Sequence, residues 1–111
     1  MAINHANPAE VIHLQPLGSK IDSTKTYTLF KTDVMEAIRL VMPAGKQIPE
    51  HKARGEITVH CLEGAVKFFV GETPHELSAG DMLYLEAGKL HAVEAIEDST
   101  VLVTIFLNKA S

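Results

Sequence analysis

Residues 50–64, EHKARGEITVHCLEG, bring together the side-chain types that bind transition metals. The stretch contains His51, His60, the single cysteine Cys61 and carboxylates that include Glu56. Imidazole, thiolate and carboxylate groups are the ligands that zinc, iron, manganese and nickel take in proteins. These residues are therefore either a working metal site or the framework of a site whose chemistry has changed.

Strand geometry decides between these two interpretations, because successive side chains of a strand point to opposite faces of the sheet. In a strand over residues 57–62, one face carries Ile57, Val59 and Cys61. The opposite face carries the even-numbered residues, among them His60, and Glu56 shares that side. The apolar face is expected to point into the core, where Cys61 would pack as a small hydrophobic residue.

The rest of the chain reads as short apolar runs separated by turn residues. Eight candidate strands cover residues 11–14, 27–30, 34–42, 57–62, 66–70, 82–85, 91–96 and 101–107. Glycine, proline and aspartate stand between many of these runs. Many short strands at this spacing are typical of an all-β sandwich or barrel.

Composition indicates one globular domain over residues 1–111, with 1–10 as an N-terminal arm. Hydrophobic residues make up 46% of the chain and charged residues 22%, which is an ordinary globular balance. A net charge of −4 and the lack of a basic run argue against a nucleic-acid partner. We expect a cytoplasmic protein without a membrane partner, since no secretory pattern or long apolar run is seen. A single cysteine cannot form an internal disulfide bond.

Two segments match the paired sequence motifs of the cupin superfamily. In the first, Gly45 is followed after five residues by His51, and the motif closes at Gly64. In the second, Gly80 is followed by DMLYLEAGKL and then His91, which lies 27 residues after Gly64. The two motifs span nearly half of the chain, which thus resembles a small single-domain cupin. The resemblance implies a jelly-roll, or double-stranded β-barrel, fold.

The resemblance also implies a metal site, at which this sequence departs from the family pattern. Metal-binding cupins hold one divalent transition metal, such as Fe, Mn, Ni or Zn, with three ligands from the first motif and one from the second. His51 and His91 stand at the first and last ligand positions. Ala53 and Ile57 stand at the other two, and neither side chain can bind a metal. Glu86 replaces the proline that is usual in the second motif.

A shifted register would offer replacement ligands. A bulge at Gly55 would turn Glu56 and His60 into the barrel beside His51, since a one-residue slip exchanges the two faces of a strand. The same slip would expose three apolar core side chains, each large one costing about 1.5–3 kcal/mol. That cost favours the unshifted register, although a bound metal or a second subunit could offset it. The candidate metal ligands are therefore His51 and His91, joined by Glu56 or His60 if the register slips.

Three functions follow from these alternatives. The first is a cupin that binds a small molecule in the barrel and has a reduced or altered metal site. The second is a metal-dependent enzyme of the oxygenase or isomerase classes. The third is an interaction role as a homodimer, for which apolar residues on both faces of residues 101–107 are suited. The sequence assigns no catalytic residue and no substrate.

Overall fold

A computed structural model describes residues 5–107 of the 111-residue chain. They form a 3-10 helix, Gly18–Ser23, and nine strands. The strands are β1 (Tyr27–Lys31), β2 (Met35–Met42), β3 (Gln47–Lys52), β4 (Ile57–Glu63), β5 (Ala65–Val70), β6 (Thr73–Ser78), β7 (Met82–Leu85), β8 (Leu90–Ala95) and β9 (Ser99–Phe106). Within residues 5–107, no helix has the length and apolar character needed to cross a membrane.

The strands form two sheets in which all neighbours are antiparallel. The first sheet has the order β1-β2-β9-β4-β7 and the second has the order β3-β8-β5-β6. Strand neighbours that are distant in sequence, such as β2 with β9 and β3 with β8, connect the two halves of the chain. The predicted all-β jelly-roll fold is confirmed.

The core lies between the sheets and follows the predicted parity of strand β4. Ile57, Val59 and Cys61 are 2%, 1% and 0% exposed, so they face inward. The irregularity in the pairing of β4 with β9 falls between Cys61 and Glu63 rather than at Gly55. The unshifted register is therefore the one that the chain adopts. Other buried members of the core are Met42, Val66, Phe68, Leu77, Leu85, Val93, Ala95 and Val101.

Gly64, which closes the first motif, joins β4 to β5 where no larger residue fits. Its φ of 82° lies in the left-handed region that favours glycine. A Cβ atom at this position would lie 2.2 Å from the carbonyl oxygen of Asp98 and 2.3 Å from Oγ of Ser99. The hydroxyl of Ser99 in turn bonds the backbone of Ala65. The motif glycine thus allows the β4–β5 turn to pack against the start of β9.

An ion pair on the outer side of the first sheet holds the segment before β1. Arg39, which is only 1% exposed, donates from Nη2 to Oε2 of Glu63 at 3.0 Å. Glu63 also accepts the backbone N–H groups of Leu17 and Gly18 and the hydroxyl of Thr100. Burial alone would raise the pKa of the Glu63 carboxyl, but these hydrogen bonds and the charge of Arg39 lower it below its usual value.

The structure differs from the predicted strands at three places. Residues 11–14 have the expected alternation, with Ile12 and Leu14 half-buried, but they form no strand ladder. Strands β3 and β6 were not predicted, because their sequences lack a clear apolar alternation. In the structure only Leu77 of β6 is buried, and no residue of β3 is. Both are edge strands of the second sheet, and such strands need little hydrophobic alternation.

Candidate functional site

Strands β3 and β8 bring the two motif histidines together. His51 and His91 are directly opposed partners in the antiparallel pairing of these strands. Ile48 and His51 are three positions apart, so in a regular strand they would face opposite sides of the sheet. A register shift between them in β3 lets both Ile48 and His51 face the barrel. Pro49 lies within the shift, and proline is tolerated there because β3 is an edge strand.

The two imidazole rings are in contact but differ in exposure. Their centroids are 4.2 Å apart with an interplanar angle of 61°, an edge-to-face arrangement. His91 is 4% exposed, and its ring stacks on Phe68 with centroids 5.5 Å apart. His51 is exposed. His51 therefore lies at the mouth of the site and His91 lies deeper.

Backbone carbonyl groups orient both rings in the same way. Nδ1 of His51 is 3.0 Å from the carbonyl oxygen of Pro49, and Nδ1 of His91 is 2.9 Å from that of Lys89. A carbonyl oxygen only accepts hydrogen bonds, so Nδ1 of each ring carries the hydrogen. In the neutral form, Nε2 of each ring is then left as an acceptor with a free lone pair.

The histidines are the polar end of a cavity between the two sheets. Its volume is about 200 Å³. The remaining lining residues are all apolar: Ile38, Leu40, Ile48, Ile57, Val59, Phe68, Val93, Val103 and Ile105. Among residues 5–107, no charged side chain lines the cavity, and its polar side chains are the two imidazoles.

Burial favours the neutral form of the deeper histidine. Desolvation lowers the pKa of His91 below its usual value, and the nearby His51 lowers it further. The hydrogen bond to the carbonyl of Lys89 acts in the opposite direction but is the smaller effect. At neutral pH, His91 therefore presents an uncharged acceptor to the cavity.

The structure does not bring Glu56 and His60 to the histidine pair. Glu56 is exposed and accepts a hydrogen bond from the hydroxyl of Tyr84, which is also exposed. His60 lies on the same outward face of β4, opposite Met82 of β7 and Leu102 of β9. Both positions follow from the unshifted register of β4, in which the odd-numbered residues fill the core.

The residues at the histidine pair do not fit the four-ligand metal site of the family. Ile57 lines the cavity where a glutamate would stand, and Ala53 packs half-buried against the core. No group of three or more His, Cys, Asp or Glu side chains suited to a metal ion occurs within residues 5–107. Within the part of the chain that the structure describes, the two imidazoles are the local donor set, whereas catalytic metal sites commonly use three protein ligands.

Some parts of the site were outside the sequence-based prediction. The wall contributed by β2, at Ile38 and Leu40, had a signal in the period-two pattern of that strand. The two orienting carbonyl groups had none, because any residue can supply a backbone carbonyl. The bulge at Pro49 had only a weak signal, a proline within a polar run.

The combination of two antiparallel sheets and a histidine pair facing the space between them defines a small β-barrel with an apolar cavity. The family model of the cupin domain matches residues 38–107, which is more than half of the chain. The chain therefore belongs to the cupin family. No curated protein matches its sequence.

Two solved structures resemble nearly the whole chain, and a third resembles part of it. A conserved protein of unknown function from Streptococcus pyogenes has 20% identity and a TM-score of 0.78, with 99% of this chain and 100% of that chain covered. A cupin superfamily protein from Desulfitobacterium hafniense has 18% identity and a TM-score of 0.77, with coverages of 97% and 99%. The DMSP lyase DddQ from Ruegeria pomeroyi has 24% identity and a TM-score of 0.66, with 78% of this chain and 47% of that chain covered. At these identities the likeness is one of fold.

Proposed function

We propose that this cupin binds a small molecule in the cavity between its two sheets, with His51 and His91 contacting the polar part of the ligand. The observation that carries the proposal is the cavity itself, about 200 Å³ of apolar space with two imidazoles at one end. Binding sites commonly combine an apolar wall with a few convergent polar groups. The altered ligand positions Ala53 and Ile57 support binding that does not depend on a complete metal site.

A pair of neighbouring substitutions on β9 tests the proposal. Val103 lines the cavity, whereas Leu102 belongs to the opposite face of the same strand and pairs with His60. Val103→Phe should fill the cavity, and Leu102→Phe adds the same ring outside it. Both variants are first compared with the wild type by thermal unfolding.

The measurement is a titration of ¹⁵N-labelled protein with small neutral fragments, followed by amide chemical shifts. We expect shifts at cavity-lining residues in the wild type and in Leu102→Phe, and their loss in Val103→Phe. Fragments that shift the folded Val103→Phe variant to the same extent would place binding elsewhere. If no fragment shifts the lining residues of the wild type, the proposal is wrong.

A metal-dependent enzyme is the second candidate, favoured by the orientation of the two rings. Histidines that bind metals usually donate their other ring N–H to a carbonyl or carboxylate group, as His51 and His91 do. Elemental analysis of protein purified without a histidine tag separates the candidates. Stoichiometric Fe, Mn, Ni or Zn that is lost in His51→Ala and His91→Ala would favour the enzyme.

A homodimer and a cytoplasmic location remain predictions. Strand β9 has both edges paired, with β2 and with β4, so self-association through it must use its outer face rather than an edge. On that face, Phe106 is 47% exposed, and Met82 and Tyr84 of β7 are more exposed still. Light scattering after size exclusion measures the oligomeric state, and a monomer at high concentration would contradict the homodimer.

A further inference from the structure

In their neutral forms, the two imidazoles at the polar end of the cavity offer two hydrogen-bond acceptors. Because Nδ1 of each ring is engaged with a backbone carbonyl, Nε2 of His51 and of His91 is the nitrogen available to a ligand. None of the other lining side chains has a polar group. A ligand that satisfies this end must therefore itself supply the hydrogen.

The absence of charge along the cavity wall separates neutral ligands from ionic ones. A carboxylate or phosphate buried here would meet no lysine or arginine among the lining residues, so its charge would be balanced only if a histidine took up a proton. An ammonium group would meet acceptors but no carboxylate to balance its charge. Burial of an unpaired charge carries a large desolvation cost, so the wall favours a neutral ligand.

The volume and the position of the histidines set the size and orientation of that ligand. An apolar cavity of about 150 Å³ is known to hold benzene, and the cavity here is about 200 Å³. Since His51 lies at the exposed mouth and His91 just inside, the polar group of the ligand belongs near the mouth. The apolar body then extends between the sheets, toward Val59 and Val103.

We propose that the ligand is a neutral, hydroxyl-bearing apolar molecule about the size of one aromatic ring, whose hydroxyl group donates to Nε2 of His51 or His91. This inference rests on the proposed function, because it assumes that the cavity is the binding site. It adds the chemical class, a small phenol or alcohol, and predicts weaker binding of carboxylates, phosphates and amines of the same size.

Three probes of similar shape test the class: phenol, toluene and benzoate. Each is titrated at neutral pH into the full chain, and dissociation constants are taken from the shifts of cavity-lining amides. The wild type is compared with His91→Phe, which keeps an aromatic ring beside Phe68 but removes both ring nitrogens. His51→Phe is a second variant at an exposed position, useful if His91→Phe does not fold. His60→Phe is the control, because His60 lies on the outward face of β4.

We expect phenol to gain an advantage over toluene that depends on the cavity histidines. The ratio of the toluene to the phenol dissociation constant should fall about tenfold in His91→Phe or His51→Phe, which corresponds to about 1.4 kcal/mol. It should be unchanged in His60→Phe. A change of cavity shape alone would alter both dissociation constants together and leave the ratio constant.

The outcomes distinguish this inference from the proposed function. If toluene and phenol bind with a ratio that neither histidine variant changes, the hydroxyl class is wrong and the cavity remains the binding site. Tighter binding of benzoate than of phenol at the same amides overturns the neutral class in the same way. If none of the probes shifts the lining amides of the wild type, the inference and the proposed function fail together.

Discussion

His51 and His91 are opposed partners across strands β3 and β8, and their rings meet with centroids 4.2 Å apart. The chain thus retains two of the family's four ligand positions, the two that face each other across β3 and β8. The other half is apolar, since Ile57 lines the cavity wall and Ala53 packs against the core. The site is therefore an apolar cavity with two imidazoles and lacks the family's other two metal-ligand side chains.

Restoring the missing donors should convert the cavity into a metal site. The double variant Ala53→His/Ile57→Glu would supply four ligands together with His51 and His91. We expect it to bind Ni²⁺ or Zn²⁺ stoichiometrically and to be stabilised by the metal, whereas the wild type should not retain either ion through dialysis. Without metal, the buried carboxylate should lower the free energy of unfolding, because it has no partner in the apolar wall.

Elemental analysis and thermal unfolding with and without metal measure both effects. The matched control is Ala53→His/Thr58→Glu, which puts the carboxylate on the opposite face of β4 and should not create the site. Equal metal retention in the two double variants would contradict this account of the ligand positions.

The chain's short apolar runs and period-two patterns were sufficient to predict an all-β sandwich or barrel and the face on which each β4 residue lies, whereas the jelly-roll fold was implied by the family resemblance. The inward set Ile57, Val59 and Cys61 forms a continuous apolar row, and a shifted register would have exposed it. The motif spacing likewise predicted that His51 and His91 would belong to one site. Their direct pairing is a tertiary contact between strands about 40 residues apart, which only the family resemblance could indicate.

The features that the sequence did not predict involve the edges of the sheets and hydrogen bonds of the backbone. Strand β3 has no buried residue and contains Pro49, so its sequence resembles a loop. Residues 11–14 have the opposite character, because they alternate like a strand but find no ladder partner. The carbonyl groups that orient the two imidazoles belong to the backbone, so the residue types at those positions do not indicate them.

Gly64 should be the least replaceable of the positive-φ glycines of the two motifs. Gly64→Ala combines an unfavourable φ with overlap against Asp98 and Ser99. Gly88 is the matched control, since its φ is 79° but a Cβ there would meet nothing within 4 Å. We expect Gly88→Ala to lower the free energy of unfolding by about 1 kcal/mol. Gly64→Ala should lower it by at least about 2 kcal/mol more, in the range of overpacked core sites.

Urea unfolding of both variants under the same conditions measures this difference. Equal losses in Gly64→Ala and Gly88→Ala would mean that the β4–β5 turn can move away from the start of β9.

Cys61 should be unreactive in the folded protein. It is fully buried, burial raises the pKa of its thiol, and Sγ lies 3.5 Å from the carbonyl oxygen of Glu63. Since the thiolate is the reactive form, modification requires the barrel to open. We expect a thiol reagent to react at least about 100-fold more slowly than with an exposed cysteine, the factor for an opening free energy of about 3 kcal/mol.

An aromatic disulfide reagent releases a coloured thiolate each time it modifies a cysteine, so absorbance measures the rate of Cys61 modification. Ser19→Cys in a Cys61→Ala background provides the exposed reference, since Ser19 is exposed in the 3-10 helix. Equally fast labelling of Cys61 without denaturant would show that the core between the sheets opens far more easily than its packing indicates.

Glu63 should make folding stability depend on pH in the acid range. Because its pKa is lower in the folded chain than in the unfolded chain, its contribution is present above the unfolded value, near 4.5, and is lost as pH falls through the folded value. Glu63→Gln leaves the buried Arg39 without its charge partner, so it should lower the free energy of unfolding by about 3 kcal/mol at pH 7. The difference from the wild type should shrink steadily as the pH falls below 4.5.

Urea unfolding of the wild type and Glu63→Gln between neutral and acid pH measures this dependence. Glu72→Gln is the control, because Glu72 is an exposed turn residue whose replacement should change stability by less than about 0.5 kcal/mol. Glu63 also accepts the N–H groups of Leu17 and Gly18, so its protonation should loosen the segment before β1 ahead of the barrel. The protection of the Leu17 and Gly18 amides against hydrogen exchange, relative to the intrinsic rate at each pH, should therefore fall at acid pH before the protection of amides in β4 does. A stability difference that stays constant across the acid range would mean that the contribution of Glu63 does not arise from its charge.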